Sequence, residues 1–215
     1  AIFNQQPMGF YNTETLKEDA KRHGITVLNP DINHSQEKCV IKDECLLLGL
    51  RYVRGLGDTV AYQAVAARDK GGLFKSLADV MERTGLQREA IENLVTAGAF
   101  DSLAADREAK AGEPNKVNEK TGRRQALWEV GLRYRPVGIQ QVLPLPTDQD
   151  SADLPALSAW ETMMDEYRVM GLYPQGHFMS HLRPLLDSQV LSSNQLAEVS
   201  DDTEIAVAGL VIRRQ

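Results

Sequence analysis

The chain has 215 residues and a net charge of −6, with 24 Lys and Arg against 30 Asp and Glu. This acidic balance argues against a dedicated nucleic-acid coat protein, and no run is long and apolar enough to predict a membrane partner. The two cysteines, Cys39 and Cys45, supply neither a disulfide framework nor a complete zinc site. We therefore expect reduced thiols in a cytoplasmic protein.

The first 45 residues predict one helix followed by short strands. Asn12 or Thr13 can cap a helix that Gly24 ends, and the β-branched and apolar residues 25–28 predict a strand. Two further apolar runs flank the polar residues 42–44 and predict a pair of strands, at 39–41 and 45–48.

The most informative stretch is Gly55-Leu56-Gly57, which separates an apolar segment from an amphipathic helix. Glycine accepts positive φ, so the two glycines allow a tight turn with Leu56 as an inward plug. This is the pattern of a helix-hairpin-helix, whose free amides at a helix N-terminus bind phosphate without base readout. The local pattern leaves a purely structural turn equally open. The predicted DNA contacts are Arg54, Gly55, Leu56, Gly57, Asp58 and Thr59.

A second cycle begins at Leu86, where Ile91 and Leu94 share a helix face before a turn with a single glycine, Gly98. We expect Gly98 and Ala99 to contact DNA as the first turn does. The returning helix is expected near residues 126–130. Two hairpins in tandem can lie on one face and hold a duplex by both strands.

Residues 104–121 are rich in charge, Gly, Pro and Asn and predict a flexible insertion. Arg123 and Arg124 follow it, and they can meet phosphates or form a solvated face; the sequence leaves both interpretations open. Residues 136–157 predict a linker that contains an apolar island, residues 140–145, with the layout of a short docking peptide.

Ser158 and Glu161 predict a capping box for a helix that buries its Trp, Met and Tyr residues, 160, 163, 164 and 167. His177 and His181 lack a third ligand, so no metal site is predicted. Residues 204–212 alternate as a strand, which we expect to lack a partner in a sheet.

With these residues in view, the chain resembles part of a bacterial C-family DNA polymerase, the family of the polymerase III alpha subunit. The resemblance covers nearly the full length, with its motifs in the family's order. Residues 123–128 and 160–167 look more like the error-prone, translesion branch. The matching segments are residues 6–11, 48–50, 55–57, 74–77, 97–103, 171–173 with 176–177, and 207–211.

The resemblance implies a mainly α fold with a few short β-strands, comprising a tandem helix-hairpin-helix domain, a linker and the beginning of an OB-fold. Residues 1–45 would end the fingers region, 46–135 would form the hairpin domain, 136–157 the linker and 158–215 the segment leading into a truncated OB-fold. The insertion at 104–121 is longer than expected of the family, and Phe178 stands where a proline is usual.

The resemblance also implies functional partners. The Mg²⁺-binding carboxylates of the polymerase palm should precede Ala1, so this chain should contain no catalytic residue and no metal ligand. Gln140, Leu143 and Leu145 fit the Gln-x-x-Leu-x-Leu peptide that docks on the sliding clamp, and translesion accessory proteins are possible further partners. The alternative hypothesis is a non-catalytic repair scaffold that reuses the same hairpins on double-stranded DNA.

Overall fold

The computed structural model describes residues 2–6, 11–103, 119–133, 154–209 and 211. The chain divides into two units, Ala1–Pro174 and Gln175–Gln215. Helices predominate and the strands are short, which confirms the predicted mainly α class. No helix of these ranges is long and apolar enough to cross a membrane.

The helices of the first unit carry most of its core, and short 3₁₀ turns at Ile2–Gln5 and Leu50–Tyr52 accompany them. A further helical turn occupies residues 101–103. The helices are α1 (Thr13–Arg22), α2 (Gly57–Gly71), α3 (Leu77–Thr84), α4 (Arg88–Thr96), α5 (Glu119–Arg133) and α6 (Ala159–Met170).

The strands of the first unit form one small sheet in the order β1-β3-β2, with β1 at Val27–Leu28, β2 at Val40–Lys42 and β3 at Cys45–Leu47. Strands β2 and β3 are antiparallel, and β1 pairs in parallel with β3. Asp43 and Glu44 join β2 to β3 with φ of 49° and 60°, which suits a two-residue hairpin turn. The predicted strand pair around residues 42–44 is therefore confirmed.

Helix caps follow the local sequence. The Asn12 side chain accepts a hydrogen bond from the Thr15 amide at 2.7 Å, so α1 begins where Asn12 predicted. Ser158 and Glu161 form the predicted capping box at the start of α6. Each cap satisfies amides that have no partner within the helix.

The core of the first unit is continuous from the sheet through α2, α3 and α4 to α5 and α6. We predicted that Trp160 and Met164 lie in the core, and this is wrong, since they are 39% and 46% exposed. They are four residues apart and share the outer face of α6, whereas Met163 and Met170 share the buried face.

The second unit contains α7 (Phe178–Leu182), β4 (Val190–Leu191) and β5 (Ala206–Val207). We expected the strand at 204–212 to lack a partner, but Ala206 and Val207 pair in parallel with Val190 and Leu191. Strand β4 was not predicted from the sequence, because only two of its residues pair with β5. Two residues are too few to show an alternating apolar pattern.

Candidate DNA-binding hairpins

The first hairpin turn joins the 3₁₀ turn Leu50–Tyr52 to α2. Gly55 and Gly57 have φ of 84° and 55°, a region that side chains with a Cβ rarely adopt. Leu56 between them is 2% exposed, and its amide donates to the Val53 carbonyl at 3.1 Å. The glycines therefore wrap the backbone around a buried leucine and bring the start of α2 to the surface.

The surface of this turn presents free donors. Gly57, Asp58 and Thr59 are exposed, and no residue in the described part of the chain accepts a hydrogen bond from their amides. They form the first turn of α2, where amides lack intrahelical acceptors and the helix dipole is positive. This arrangement suits a phosphate oxygen.

The charges around the turn are mixed. The Arg54 side chain is exposed beside the turn. Asp58 is also exposed, and its carboxylate lies 3.3 Å from Arg51 Nη1. The amide of Asp58 favours a phosphate while its carboxylate opposes one, and Arg51 offsets part of that opposition.

The second hairpin turn is covered, in contrast to the first. Gly98 has φ of 83°, as the predicted turn requires, but Gly98 and Ala99 are both buried. The Ala99 carbonyl accepts a hydrogen bond from the Ile32 amide at 2.9 Å, and a Cβ on Gly98 would lie 2.8 Å from the Arg123 Cζ. The prediction that Gly98 and Ala99 contact DNA does not agree with this burial, because other parts of the same chain occupy the turn.

Arg123 is one of the groups that cover the second turn, and its predicted contact with phosphate does not agree with its position. Its side chain is 5% exposed. Nη2 donates to Asp101 at 2.6 Å, and Nη1 donates to Glu166 at 2.8 Å and to the Thr96 carbonyl at 3.2 Å. Every guanidinium nitrogen donates to a group of the same chain, so this structure leaves Arg123 no free donor for a phosphate and places it in the interior and not on a solvated face.

Burial and ion pairing shift the pKa values of Arg123 and Glu166 in opposite directions. Burial alone would lower the pKa of Arg123, but hydrogen bonds and charge from Asp101 and then Glu166 raise that pKa above its usual range. Burial raises the pKa of the Glu166 carboxyl, and Arg123 and Asn29 offset only part of the rise. Among the described residues, none forms a hydrogen bond with the buried Glu166 Oε2.

Arg124 lies nearer the surface but is also engaged. It donates to the Pro155 carbonyl at 3.0 Å and to Glu161 at 2.7 Å, which connects α5 to the start of α6. A phosphate would have to displace these partners.

Sequence reasoning missed Asn29, Asp101 and Glu166 as parts of this arrangement. Glu166 is 43 residues from Arg123 and 137 from Asn29, so no local spacing connects them. Gln140, Leu143 and Leu145 lie outside the described residues.

The described ranges contain no group of three or more metal-ligating side chains. His177 instead caps α7, where its Nδ1 accepts a hydrogen bond from the Met179 amide at 3.1 Å.

The sequence was compared with models of protein families and with known proteins. A family model described as a helix-hairpin-helix motif matches residues 24–110. An error-prone DNA polymerase of Nocardia farcinica is 34% identical over 220 residues, which cover 100% of this chain and 18% of the polymerase. The error-prone DNA polymerase of Burkholderia pseudomallei is also 34% identical, over 100% of this chain and 19% of its own length.

A third relative, with a lower sequence identity, gives the same result. The error-prone DNA polymerase of Symbiobacterium thermophilum is 30% identical over 99% of this chain and 22% of its own length. The chain thus spans about a fifth of the length of the curated relatives it matches. The resemblance predicted from the sequence is confirmed: the chain is related over its whole length to a segment of bacterial error-prone DNA polymerases.

Proposed function

We propose that this chain is a DNA-holding segment of an error-prone DNA polymerase, and that it binds the duplex backbone without reading its sequence. The observation that carries the proposal is the first hairpin turn, where Gly57, Asp58 and Thr59 present exposed amides at the N-terminus of α2. The match to a helix-hairpin-helix model and the relatives named as error-prone polymerases support it.

We also propose an asymmetric use of the two hairpins. The first contacts phosphate through the amides of residues 57–59 and through Arg54, whereas the second joins α4, α5 and α6 through Arg123. Burial of Gly98 and Ala99 supports this division. The duplex would then be held chiefly through one strand at the first hairpin.

The activity of the whole protein is part of the proposal. A longer chain would carry the nucleotidyl-transfer site and its Mg²⁺ ions before residue 1 and would act on damaged DNA in the cytoplasm. Residues 1–45 would then adjoin the fingers region, 46–135 would be the DNA-holding domain, and 158–215 would lead into an OB-fold. The relatives' names, and the fact that this chain spans only about a fifth of their length, support the longer chain and its polymerase activity.

The sliding clamp remains a proposed partner through Gln140, Leu143 and Leu145, and translesion accessory proteins are a second proposed class. An apolar island within a Pro-rich polar linker is the supporting sequence feature.

Duplex binding at increasing salt tests the DNA proposal. We expect weak, sequence-independent binding with a dissociation constant of about 10⁻⁴ to 10⁻⁶ M and a log–log salt slope of about −0.9 per phosphate contact. Two duplexes of unrelated sequence should bind equally. Absence of binding at low salt, or binding that ignores salt, would contradict the proposal.

A further inference from the structure

The backbone of Arg54 is held from both sides by elements outside the first hairpin. Its amide donates to the Val169 carbonyl in α6 at 2.8 Å. Its carbonyl accepts a hydrogen bond from Asn93 Nδ2 in α4 at 3.0 Å. Both peptide groups of the residue that precedes the turn are thus fixed, while the Arg54 side chain stays exposed.

Asn93 is placed to make this contact specific. It is 7% exposed and lies on α4, the helix that leads into the second hairpin. A Cβ on Gly55 would lie 3.5 Å from Asn93 Nδ2, so the amide packs directly against the turn. A buried side-chain donor that reaches a backbone acceptor 39 residues away fixes one relative position of two elements.

Such anchoring matters because Gly55 and Gly57 are free to sample many backbone conformations. The direction of the amides of residues 57–59 depends on the path of the chain from Arg54. Fixing both ends of the Arg54 backbone removes part of that freedom before a phosphate arrives, which reduces the ordering cost of binding.

We propose that Asn93 is a positioning residue for the first hairpin, which orients the amides of residues 57–59 toward a phosphate through the Arg54 carbonyl. The DNA consequence rests on the proposed function, whereas the anchoring itself does not. The second hairpin then acts on DNA indirectly, because its helix α4 holds the first turn.

The test uses the 215-residue chain with Asn93→Asp and Asn93→Ser. The first change keeps the shape but replaces the donor with a charge, and the second removes the contact without adding charge. Asn33 offers a matched control, since its Nδ2 donates to the Phe74 carbonyl at 3.0 Å and its Oδ1 accepts from the Phe74 amide at 2.8 Å. The same two substitutions at Asn33 remove a similarly buried donor away from the turn.

Two readouts are measured: hydrogen-exchange protection of the Arg54 and Leu56 amides, and affinity for a duplex at low salt. We expect both Asn93 variants to lose protection at these amides and to bind DNA about three- to tenfold more weakly, the range for one lost hydrogen bond. The Asn33 variants should keep both properties even where their overall stability falls.

Unchanged protection at Arg54 and Leu56 in both Asn93 variants overturns the proposal, as does an equal loss of DNA affinity in the Asn33 variants. If the unmodified chain binds no duplex while the Asn93 variants still expose the Arg54 amide, the anchoring stands and the proposed DNA function fails. If Asn93→Asp does not fold, Asn93→Ser decides alone.

Discussion

At the scale of single residues, the two glycines of the first turn are required by backbone conformation. At Gly55 a Cβ would meet only Asn93 Nδ2, at 3.5 Å, and at Gly57 it would meet nothing within 4 Å, so space is not the constraint. Both φ values are positive, and a β-branched residue there is strained by about 1–3 kcal/mol. The turn therefore depends on glycine for conformation alone.

Gly55→Val should consequently distort the turn and abolish measurable duplex binding. Gly131→Ala is the matched control, because a Cβ at Gly131 would meet only Arg88 Nη2, at 3.9 Å. That substitution within α5 should raise stability by about 0.5–1 kcal/mol and leave DNA binding unchanged. Gel-shift or anisotropy titration measures the DNA affinity of each variant, and thermal unfolding measures its stability. A folded Gly55→Val chain with the parent's affinity would show that the first hairpin is structural only.

Asp58 and Arg54 test whether phosphate lies at the start of α2. Asp58→Asn removes an exposed negative charge there and should tighten duplex binding by about two- to fivefold at low salt, with the gain fading as salt screens it.

Arg54→Gln should weaken binding and reduce the magnitude of the log–log salt slope by about 0.9, the value for one phosphate contact. Affinity measured at four or more salt concentrations decides, and an unchanged slope for Arg54→Gln would remove Arg54 from the interface.

At the scale of elements, Arg123 joins α4, α5 and α6 through Thr96, Asp101 and Glu166. Arg123→Met leaves the Glu166 charge buried without its cation and should cost about 3–5 kcal/mol of unfolding free energy. The double variant Arg123→Met/Glu166→Gln should recover much of that loss, because the uncompensated charge is gone. Urea unfolding of the single and double variants measures the coupling. Equal losses in the single and double variants would show that Glu166 is not the partner that matters.

The pH dependence of stability tests the same buried network, through the carboxyl group of Glu166. Burial raises the pKa of Glu166 in the folded chain above its pKa in the unfolded chain. The contribution of Glu166 to the free energy of unfolding is therefore complete when the pH is below the unfolded pKa. That contribution is lost as the pH rises through the raised pKa of the folded chain. Glu166→Gln should therefore gain stability relative to the unmodified chain as the pH rises from about 4 toward 7. A stability difference between the two proteins that does not change with pH would contradict the raised pKa.

At the scale of the whole molecule, holding DNA and extending it should be separable. If the metal-binding carboxylates precede residue 1, as we propose, the purified chain should bind primed template without extending the primer when supplied with dNTPs and Mg²⁺. Denaturing gels report extension directly. Primer extension by the pure chain would overturn the proposal that this segment only holds DNA.

The proposed clamp peptide is also tested at this scale, because its partner is another protein. Burial of Leu143 and Leu145 at about 1.5–3 kcal/mol each, less the ordering cost, predicts micromolar affinity for the purified clamp. Calorimetry should show this binding lost in Gln140→Ala and in Leu143→Ala. Binding that survives both substitutions, or no binding by the parent chain, would remove the clamp from the list of partners.

Local sequence alone determined the features that depend on neighbouring residues. The caps at Asn12 and Ser158, the β2–β3 turn and the conformation of both hairpin turns were predictable, since each depends on side-chain hydrogen bonds or on φ within about four residues. The family was also predictable from the sequence, because its short motifs keep their order along the whole chain. The strand β4 was not, because two paired residues leave no periodic signal.

Tertiary structure decided which of the two glycine turns is exposed to solvent. Gly55 and Gly98 have nearly the same φ, 84° and 83°, yet one is exposed and the other is buried beneath Arg123. Burial depends on partners such as Glu166, which is 43 residues from Arg123. Local patterns specify conformation, but only the packing of distant elements determines which amides remain open to a phosphate.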